Sequence, residues 1–194
     1  MVWLEVETKA IVKDPGDMRK RIRKIANFTK KEKRGDDYFA IKQKGYPKKA
    51  FRIRNTKTTH VVNFKKRLKE YYDDYIVVKQ EFEFELTDKE QMENFLALLK
   101  DLKFEEWIKK LKTSESYKHK KDKRLIIELN KVKHLGYFLE IEYLCQEKEM
   151  KKAKKKIMGA LKELGVKKKD IDNTGYTKRL YDKGIKDKKF FIKW

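Results

Sequence analysis

The sequence predicts an α+β protein whose antiparallel strands close into a barrel with a polar lumen, with the helices packed outside. The first observation is that charged and apolar residues alternate along most predicted strands, so each strand has one charged and one apolar face. The second is that only a few segments have helical periodicity, and these can cover the apolar faces from outside. The third is that so many strands in an open sheet would leave exposed edges, which closure removes.

The elements are predicted in order from their periodicity and from the residues that start and stop them. The first helix follows the start signal Asp14-Pro15, and the second follows a cap at Thr87 and Asp88. The basic stretch 29–35 is predicted to be a loop. Strands are predicted near 2–12, 37–42, 49–55, 59–67, 75–86, 105–112, 114–119, 124–130 and 137–144, and helices over 15–27, 88–100, 147–164 and 168–182.

The net charge of +22 over 194 residues predicts an anionic partner, which could be nucleic acid, acidic lipid or a phosphorylated small molecule. The densest basic runs lie at 19–34 and 148–169. Apolar residues recur at helical spacing within the second run, so its lysines are interpreted as the solvated face of a surface helix.

Abundant Lys and Glu with only two prolines indicate a protein from a hot environment.

Several function classes are excluded by composition. A single cysteine, Cys145, cannot form a disulfide within the chain, and among apolar neighbours it is predicted to be buried. No run of ~18 apolar residues occurs, and the first residues show no signal-peptide pattern. We therefore expect a cytoplasmic protein that does not span a membrane.

Zinc is not expected. None of the three histidines, His60, His119 and His134, forms a zinc-like cluster with Cys145 in the sequence.

The charged faces of the strands carry both signs. A lumen of this kind can hold a polyphosphate, because Arg and Lys bind its oxygens while carboxylates hold Mg²⁺ or Mn²⁺. A nucleic-acid-binding sheet would instead expose aromatic residues on that face, whereas Phe51, Phe82 and Phe84 fall on the apolar face, so nucleic acid is not expected. The residues that share the charged faces are Glu5, Glu7 and Lys9; Arg52 and Arg54; Lys65 and Arg67; Glu81, Glu83 and Glu85; Lys110 and Lys112; Glu128 and Asn130; and Glu140 and Glu142.

These residues resemble the motifs of the CYTH family, the triphosphate tunnel metalloenzymes, which include class IV adenylyl cyclases, thiamine triphosphatases and tripolyphosphatases. The motifs occur in the family's order over roughly residues 2–180. They are Glu5-Val6-Glu7-Thr8-Lys9 for E-x-E-x-K, Asp37-Tyr38-Phe39 for a D-x-Y-F element shortened by one residue, Arg52-Ile53-Arg54 for R-x-R, Lys65 in the following strand, Glu81-Phe82-Glu83 for E-x-E, the segment 135–142 for L-G-x-F-x-E-x-E, and Tyr176 in a stretch like S-Y-x-x-L.

The resemblance implies one CYTH-like domain over 1–194, an eight-stranded tunnel, and Mg²⁺ or Mn²⁺ as cofactor. Its implied partner is ATP or another triphosphate, and a homodimer is left open. The implied metal ligands are Glu5, Glu7, Glu140, Glu142, Glu81 and Glu83. The implied phosphate-binding residues are Lys9, Arg52, Arg54, Lys65 and Lys112, and the residues assigned to catalysis are Lys9, Glu7 and Glu140.

Three departures from the family pattern bear on activity. Ser114 stands where the family has an arginine after the lysine, Asn130 stands where an acidic residue is usual, and Asn173 and Gly175 replace an Arg and a Ser.

Three functions are therefore weighed. The first is cyclisation of ATP to cyclic AMP and pyrophosphate. The second is hydrolysis of tripolyphosphate, thiamine triphosphate or a nucleotide, and the third is metal-free binding of RNA or polyphosphate. Chain length and motif spacing favour the class IV cyclase slightly over the hydrolase.

Overall fold

The fold is a closed eight-stranded antiparallel barrel with four helices outside it, as the sequence predicted. The computed structural model describes residues 3–55 and 59–185. The strands follow one another around the barrel in the order β1-β5-β4-β3-β2-β6-β7-β8, and β8 pairs with β1. The strands are β1 (Leu4–Val12), β2 (Ala26–Ile41), β3 (Ala50–Asn55), β4 (His60–Arg67), β5 (Val77–Leu86), β6 (Phe104–His119), β7 (Leu125–Val132) and β8 (Gly136–Cys145). The helices are α1 (Pro15–Ile25), α2 (Lys89–Asp101), α3 (Met150–Glu163) and α4 (Tyr176–Asp182).

The chain divides into two compact units, each with its own apolar core. The first comprises Met1–Lys33, Lys66–Glu81 and Thr113–Thr174, and the second comprises Arg34–Lys65, Phe82–Lys112 and Gly175–Trp194. No helix in the described ranges is long and apolar enough to cross a membrane.

The core of the first unit lies between the apolar faces of β1, β7 and β8 and the helices α1 and α3. Val6 of β1 and Ile141 of β8 are fully buried there with Ile22 of α1 and Ile157 of α3. Alternation along the strands then turns the charged residues of β1 and β8 to the opposite face, towards the inside of the barrel. Packing of α1 and α3 on the apolar faces therefore determines where the charged residues lie.

The core of the second unit is smaller and is covered by α2. Ile53 and Val62 pack with Met92 and Leu99 of that helix, which begins at the cap Asp88, whose side chain accepts from Gln91 N. The prediction that the apolar faces would be covered is wrong for two aromatic residues of β5. Their exposed fractions are 47% for Phe82 and 51% for Phe84, although Phe82 lies beside the ring of Phe64 and Phe84 meets Phe95 of α2 edge to face.

Two boundaries between predicted strands and loops are wrong for the same reason. The predicted loop 29–35 lies within β2, and the segments 105–112 and 114–119 form the single strand β6. Neither segment contains proline, and charged side chains do not interrupt a strand whose backbone groups are paired. Thr29 Oγ1 donates to Ser116 O at 2.8 Å, which ties β2 to β6 at this point.

The predicted helix over 168–182 is replaced by two shorter features. Residues 168–170 form one 3₁₀ turn, and only Tyr176–Asp182 is α-helical. Between them Ile171 forms a β-bridge with Ala10, and Asp172 N donates to Lys9 O at 2.8 Å. Hydrogen bonding to β1 thus overrides the helical pattern of this segment. The tail residues 186–194 lie outside the described ranges.

Candidate active site

Five glutamates of β1, β7 and β8 form one group in the first unit, which we name the acidic cluster: Glu5, Glu7, Glu128, Glu140 and Glu142. Strand register brings them together. Glu7 lies opposite Glu142, and Glu140 lies opposite both Lys9 on β1 and Glu128 on β7. Residues directly opposite on one face of antiparallel strands have neighbouring side chains. Glu5, Glu7, Glu128 and Glu140 are buried, and Glu142 is partly buried.

The acidic cluster contains two overlapping triads of carboxylates. Glu5, Glu7 and Glu142 each offer an oxygen within 4.8 Å of the others, and so do Glu128, Glu140 and Glu142. Buried carboxylate oxygens at this spacing suit a hard divalent cation such as Mg²⁺ or Mn²⁺, which prefers oxygen ligands. The residues present therefore fit the metal that the family resemblance implies, with Glu142 shared between the triads.

Two lysines compensate part of this negative charge. Lys9 Nζ lies 3.1 Å from Glu140 and 3.8 Å from Glu7. Lys79 Nζ forms an ion pair with Glu7 and lies 3.6 Å from Glu5. Sequence analysis had predicted Lys9 but not Lys79. Extending the alternation of β5 back from Glu81 by two residues would have placed Lys79 on the charged face.

Asn130, at the position where an acidic residue was expected, belongs to the acidic cluster as a donor. Its Nδ2 donates to Glu140 at 2.5 Å and to Glu128 at 3.3 Å, and Ser116 Oγ donates to Glu128 at 2.9 Å. Uncharged donors thus hold two carboxylates in place. Ser114, which stands for the expected arginine, is fully buried, and its Oγ forms no hydrogen bond within the described ranges.

A second group, which we name the cationic cluster, is centred on Asp36 of β2 in the second unit. Asp36 is completely buried, and its carboxylate accepts from Arg54 Nε at 2.8 Å and Nη2 at 3.3 Å. Lys110 Nζ lies 2.8 Å from Asp36 Oδ2, and Arg52 Nη1 lies 3.7 Å from it. One carboxylate therefore orients three cations, two of which were predicted to bind phosphate.

Tyr38 extends the cationic cluster. Lys110 Nζ donates to Tyr38 OH at 3.1 Å and lies over the rings of Tyr38 and Tyr176. Burial alone would raise the pKa of Asp36, but the charges of Lys110, Arg52 and Arg54 hold it well below its usual value. Burial likewise opposes ionisation of Tyr38, yet Lys110 lowers the pKa of its hydroxyl. In both groups the positive charge of Lys110 thus opposes the effect of burial.

The assignment of Asp37 to the D-x-Y-F element is corrected by the strand register. Asp36 lies opposite Arg54 and Tyr38 lies opposite Arg52, so Asp36 and Tyr38 share the charged face. Asp37 lies opposite Ile53, on the apolar face. The complete element is Asp36-Asp37-Tyr38-Phe39 with no residue missing, and counting back two residues from Tyr38 would have identified Asp36 from the sequence.

Four further predicted site residues lie outside the contacts described so far. Glu81 and Glu83 belong to neither carboxylate triad of the described residues, and Glu83 accepts a hydrogen bond from Asn63 at 3.0 Å. Lys112 is buried two residues after Lys110, on the same face of β6. Lys65 is partly buried on β4, two residues after Asn63, which lies opposite Arg52. Their assigned roles stay predictions.

Comparison with known proteins identifies one family. A family model described as the CYTH domain matches residues 4–176, which confirms the resemblance found in the sequence. No curated protein matches the chain significantly.

The fold also matches solved structures over nearly their whole length. The PH1819 protein of Pyrococcus horikoshii OT3 is 29% identical, with a TM-score of 0.74 over 92% of this chain and 99% of that one. A conserved hypothetical protein from Pyrococcus furiosus is 26% identical, with a TM-score of 0.69 over 90% and 98%. A proposed adenylate cyclase from Vibrio parahaemolyticus is 14% identical, with a TM-score of 0.72 over 93% and 99%, which supports the fold alone.

Proposed function

Because this chain belongs to the CYTH domain family, we propose that it is a metal-dependent enzyme acting on a triphosphate, with ATP cyclisation as its reaction. The observation that carries the proposal is the buried acidic cluster, whose carboxylates form two triads within 4.8 Å. Burying so many carboxylates costs free energy unless cations compensate them. Lys9 and Lys79 are among the cations that compensate them.

Glu5, Glu7 and Glu142, together with Glu128 and Glu140, would hold Mg²⁺ or Mn²⁺ in this function. A divalent cation supplies Lewis-acid chemistry, lowering the pKa of an attacking hydroxyl and neutralising charge on phosphate oxygens. Asn130 and Ser116 keep Glu128 and Glu140 oriented by donating hydrogen bonds to them.

The phosphate-binding role is proposed for the cations that Asp36 orients. Asp36 engages Arg54 through Nε and Nη2, which leaves Nη1 of that guanidinium for a substrate oxygen. Arg52 and Lys110 share the same carboxylate. The family resemblance assigns the same phosphate-binding role to Lys65 and Lys112. Lys9, which pairs with Glu140 and Glu7, is proposed to stabilise charge near the reacting phosphorus.

In the proposed reaction the 3′-hydroxyl of ATP gives its proton to solvent water, and its oxygen bonds to the α-phosphorus. The bond from the α-phosphorus to the bridging oxygen of the β-phosphate breaks, and pyrophosphate leaves with that electron pair. Chain length and motif spacing support this reaction over hydrolysis. The same residues would also serve attack of water on the γ-phosphorus, so product analysis decides between the two reactions.

The deciding experiment incubates the protein with ATP and, separately, with inorganic tripolyphosphate, each with Mg²⁺ or Mn²⁺, and resolves the products by chromatography. Cyclic AMP with pyrophosphate is the expected result. Orthophosphate without cyclic AMP would replace the cyclase by a triphosphatase. Absence of any product, with tripolyphosphate binding that ignores metal, would make the chain a binding module and overturn the proposal.

Four broader predictions accompany this function. They are a single domain over 1–194, a cytoplasmic location, a hot environment and a homodimer as the assembly to look for. One cooperative unfolding transition would support the single domain, and sedimentation would decide the assembly.

A further inference from the structure

Lys79 reaches the acidic cluster from β5, the strand that pairs with β1. Strand register places it directly opposite Glu5. Its Nζ forms an ion pair with Glu7 and lies 3.6 Å from Oε1 of Glu5. Glu5 and Glu7 belong to one carboxylate triad with Glu142. The ammonium of Lys79 therefore lies beside two of the three carboxylates that would hold a divalent cation.

The contact between Lys79 and Glu7 depends on charge. Oε1 of Glu7 is buried and lies 3.8 Å from Nζ of Lys9 in addition to its ion pair with Lys79, yet it accepts no hydrogen bond within the described ranges. An ammonium is a compact point charge on a flexible stem, without the fixed fork of a guanidinium. Another cation can therefore replace Lys79 at this oxygen without breaking a hydrogen bond there.

The two lysines of the acidic cluster differ in how deeply they are buried. The side chain of Lys9 is 5% exposed, and its Nζ lies 3.1 Å from Glu140. The side chain of Lys79 is 15% exposed, so part of it meets solvent. A long, partly exposed lysine can turn its charged end towards water while its stem stays packed. Lys79 is thus the lysine that can withdraw from the carboxylates.

A cation bound by Glu5 and Glu7 would have to compete with Lys79 for their charge. Like charges at such distances repel strongly where bulk water screens them poorly. Exchange of the ammonium for Na⁺ or K⁺ replaces one unit charge by another and gains little. Exchange for Mg²⁺ or Mn²⁺ brings a second unit charge to the same carboxylates, so only a divalent cation gains enough to displace Lys79.

We propose that Lys79 is a specificity-determining residue of the metal site. Its ammonium compensates Glu5 and Glu7 in the metal-free protein, keeps monovalent cations from these carboxylates, and is displaced when a divalent cation binds. The inference rests on the proposed function, because the competing ligand is the metal of that reaction. It assigns a role to a residue that none of the family motifs in the sequence contains.

The first test measures binding of Mn²⁺ alone by calorimetry at neutral pH. For Lys79→Met, which keeps an unbranched stem, we expect Kd to fall at least about 10-fold, since a unit charge near a carboxylate is worth this factor unless water screens it fully. Lys79→Arg keeps the charge and should bind Mn²⁺ as the wild type does. Lys66→Met removes an exposed lysine from β4, the neighbouring strand, and should leave Kd unchanged.

The second test replaces choline chloride by KCl at equal concentration. In Lys79→Met the Kd for Mn²⁺ should rise about 3-fold or more, because K⁺ can now compete for the carboxylates, whereas the wild type should change less than about 2-fold. The wild-type measurement needs no variant. A wild-type Kd that rose with K⁺ as steeply as that of Lys79→Met would overturn the inference.

Thermal unfolding separates displacement of Lys79 from a merely structural role. Without metal, Lys79→Met should unfold about 2–4 °C below the wild type, because Glu5 and Glu7 lose a compensating charge. At saturating Mn²⁺ the two Tm values should agree within about 1 °C, since the cation then compensates both proteins. A Tm difference that persists at saturating Mn²⁺ would make Lys79 a structural residue and overturn the inference.

The inference and the proposed function fail in different ways. An unchanged or higher Kd for Mn²⁺ in Lys79→Met, beside a wild-type protein that binds Mn²⁺, would overturn the role of Lys79 and leave the proposed function intact. If neither the wild type nor any variant binds Mn²⁺, the metal-dependent function fails, and the role of Lys79 fails with it.

Discussion

The acidic cluster and the cationic cluster compensate their buried charges differently. The first contains five carboxylates, which lie with Lys9 and Lys79 and accept hydrogen bonds from the uncharged donors Asn130 and Ser116. In the second, the single carboxylate of Asp36 serves Arg52, Arg54 and Lys110. Each cluster thus joins a group of one sign to members of the opposite sign.

The difference teaches how buried charge can indicate a ligand. An ion pair that serves only stability tends towards equal numbers of opposite charges, because uncompensated buried charge is costly. Buried carboxylates whose oxygens lie close together suit a cation as a ligand, and cations grouped around one carboxylate suit an anion. The internal members of opposite sign then orient the majority before any ligand arrives, which reduces the reorganisation that binding requires.

Substitution in the acidic cluster should have the largest effect. Glu7→Ala removes a carboxylate from the triad with Glu5 and Glu142, and we expect metal-dependent turnover to fall by at least about 100-fold, since losing even a supporting contact to a metal ligand costs roughly 10-fold to 100-fold. Turnover at saturating Mg²⁺ measures the effect, and Glu105→Ala, at an exposed position, serves as the control. Normal turnover in Glu7→Ala would remove the metal assignment.

In the cationic cluster, Asp36→Asn should act mainly on stability. We expect the free energy of unfolding at pH 7 to fall by about 3 kcal/mol, because three cations lose the carboxylate they share. Denaturant unfolding measures this loss. Asp101→Asn, at an exposed position of α2, should change the free energy by less than about 0.5 kcal/mol.

The stability difference between wild type and Asp36→Asn should also decrease as the pH falls. Because the folded protein holds the pKa of Asp36 well below 3.8, its carboxylate contributes stability above that value and loses the contribution as pH falls through the lowered pKa. The difference between wild type and variant should therefore be the same at about pH 7 and pH 5 and shrink below about pH 4. A difference that stayed constant into strong acid would exclude Asp36 as its source.

Arg54→Ala should separate binding from stability within the cationic cluster. We expect KM for ATP and tripolyphosphate to rise about 10-fold, the value of one charge-assisted hydrogen bond, while inhibition by orthophosphate changes little. Asp36 keeps Lys110 and Arg52 as partners in this variant, so the protein should remain folded. Lys44→Ala removes an exposed positive charge from the same unit and is the control. Equal effects on orthophosphate and triphosphates would argue against a triphosphate clamp.

The smallest effect is expected outside both clusters, on α3. Lys154→Ala removes the contacts to Tyr71 O and Asp73, and we expect the free energy of unfolding to fall by about 1 kcal/mol, the value of an exposed ion pair with a single hydrogen bond. Lys155→Ala, at the next and exposed position, should leave the free energy of unfolding unchanged. Denaturant unfolding of the two variants measures the difference, and equal stability would show that the Lys154 contacts contribute nothing.

The two clusters also differ in how far the sequence predicted them. The acidic cluster was predicted because Glu5, Glu7, Glu140 and Glu142 alternate on strands with clear apolar faces. Asp36 was missed because two aspartates stand side by side, and only the register opposite Arg54 shows which one shares the charged face.

Other features could not be predicted because tertiary contacts determine them. The helix predicted over 168–182 was lost because Ile171 pairs with Ala10 and Asn173 binds Lys9 N at 2.8 Å, and both partners lie far away in sequence. The closed barrel itself was predictable, because alternation repeats in nearly every strand.

Pairing of the first strand with the last has a consequence for synthesis on the ribosome. Leu4 pairs with Cys145 and Lys9 with Glu140, so β1 cannot obtain this neighbour until most of the chain has been translated. Contacts between residues so distant in sequence slow folding. Until then the nascent chain carries Glu5 and Glu7 on a strand with one open edge, and their charges are a safeguard, since an uncharged edge would invite aggregation with other nascent chains.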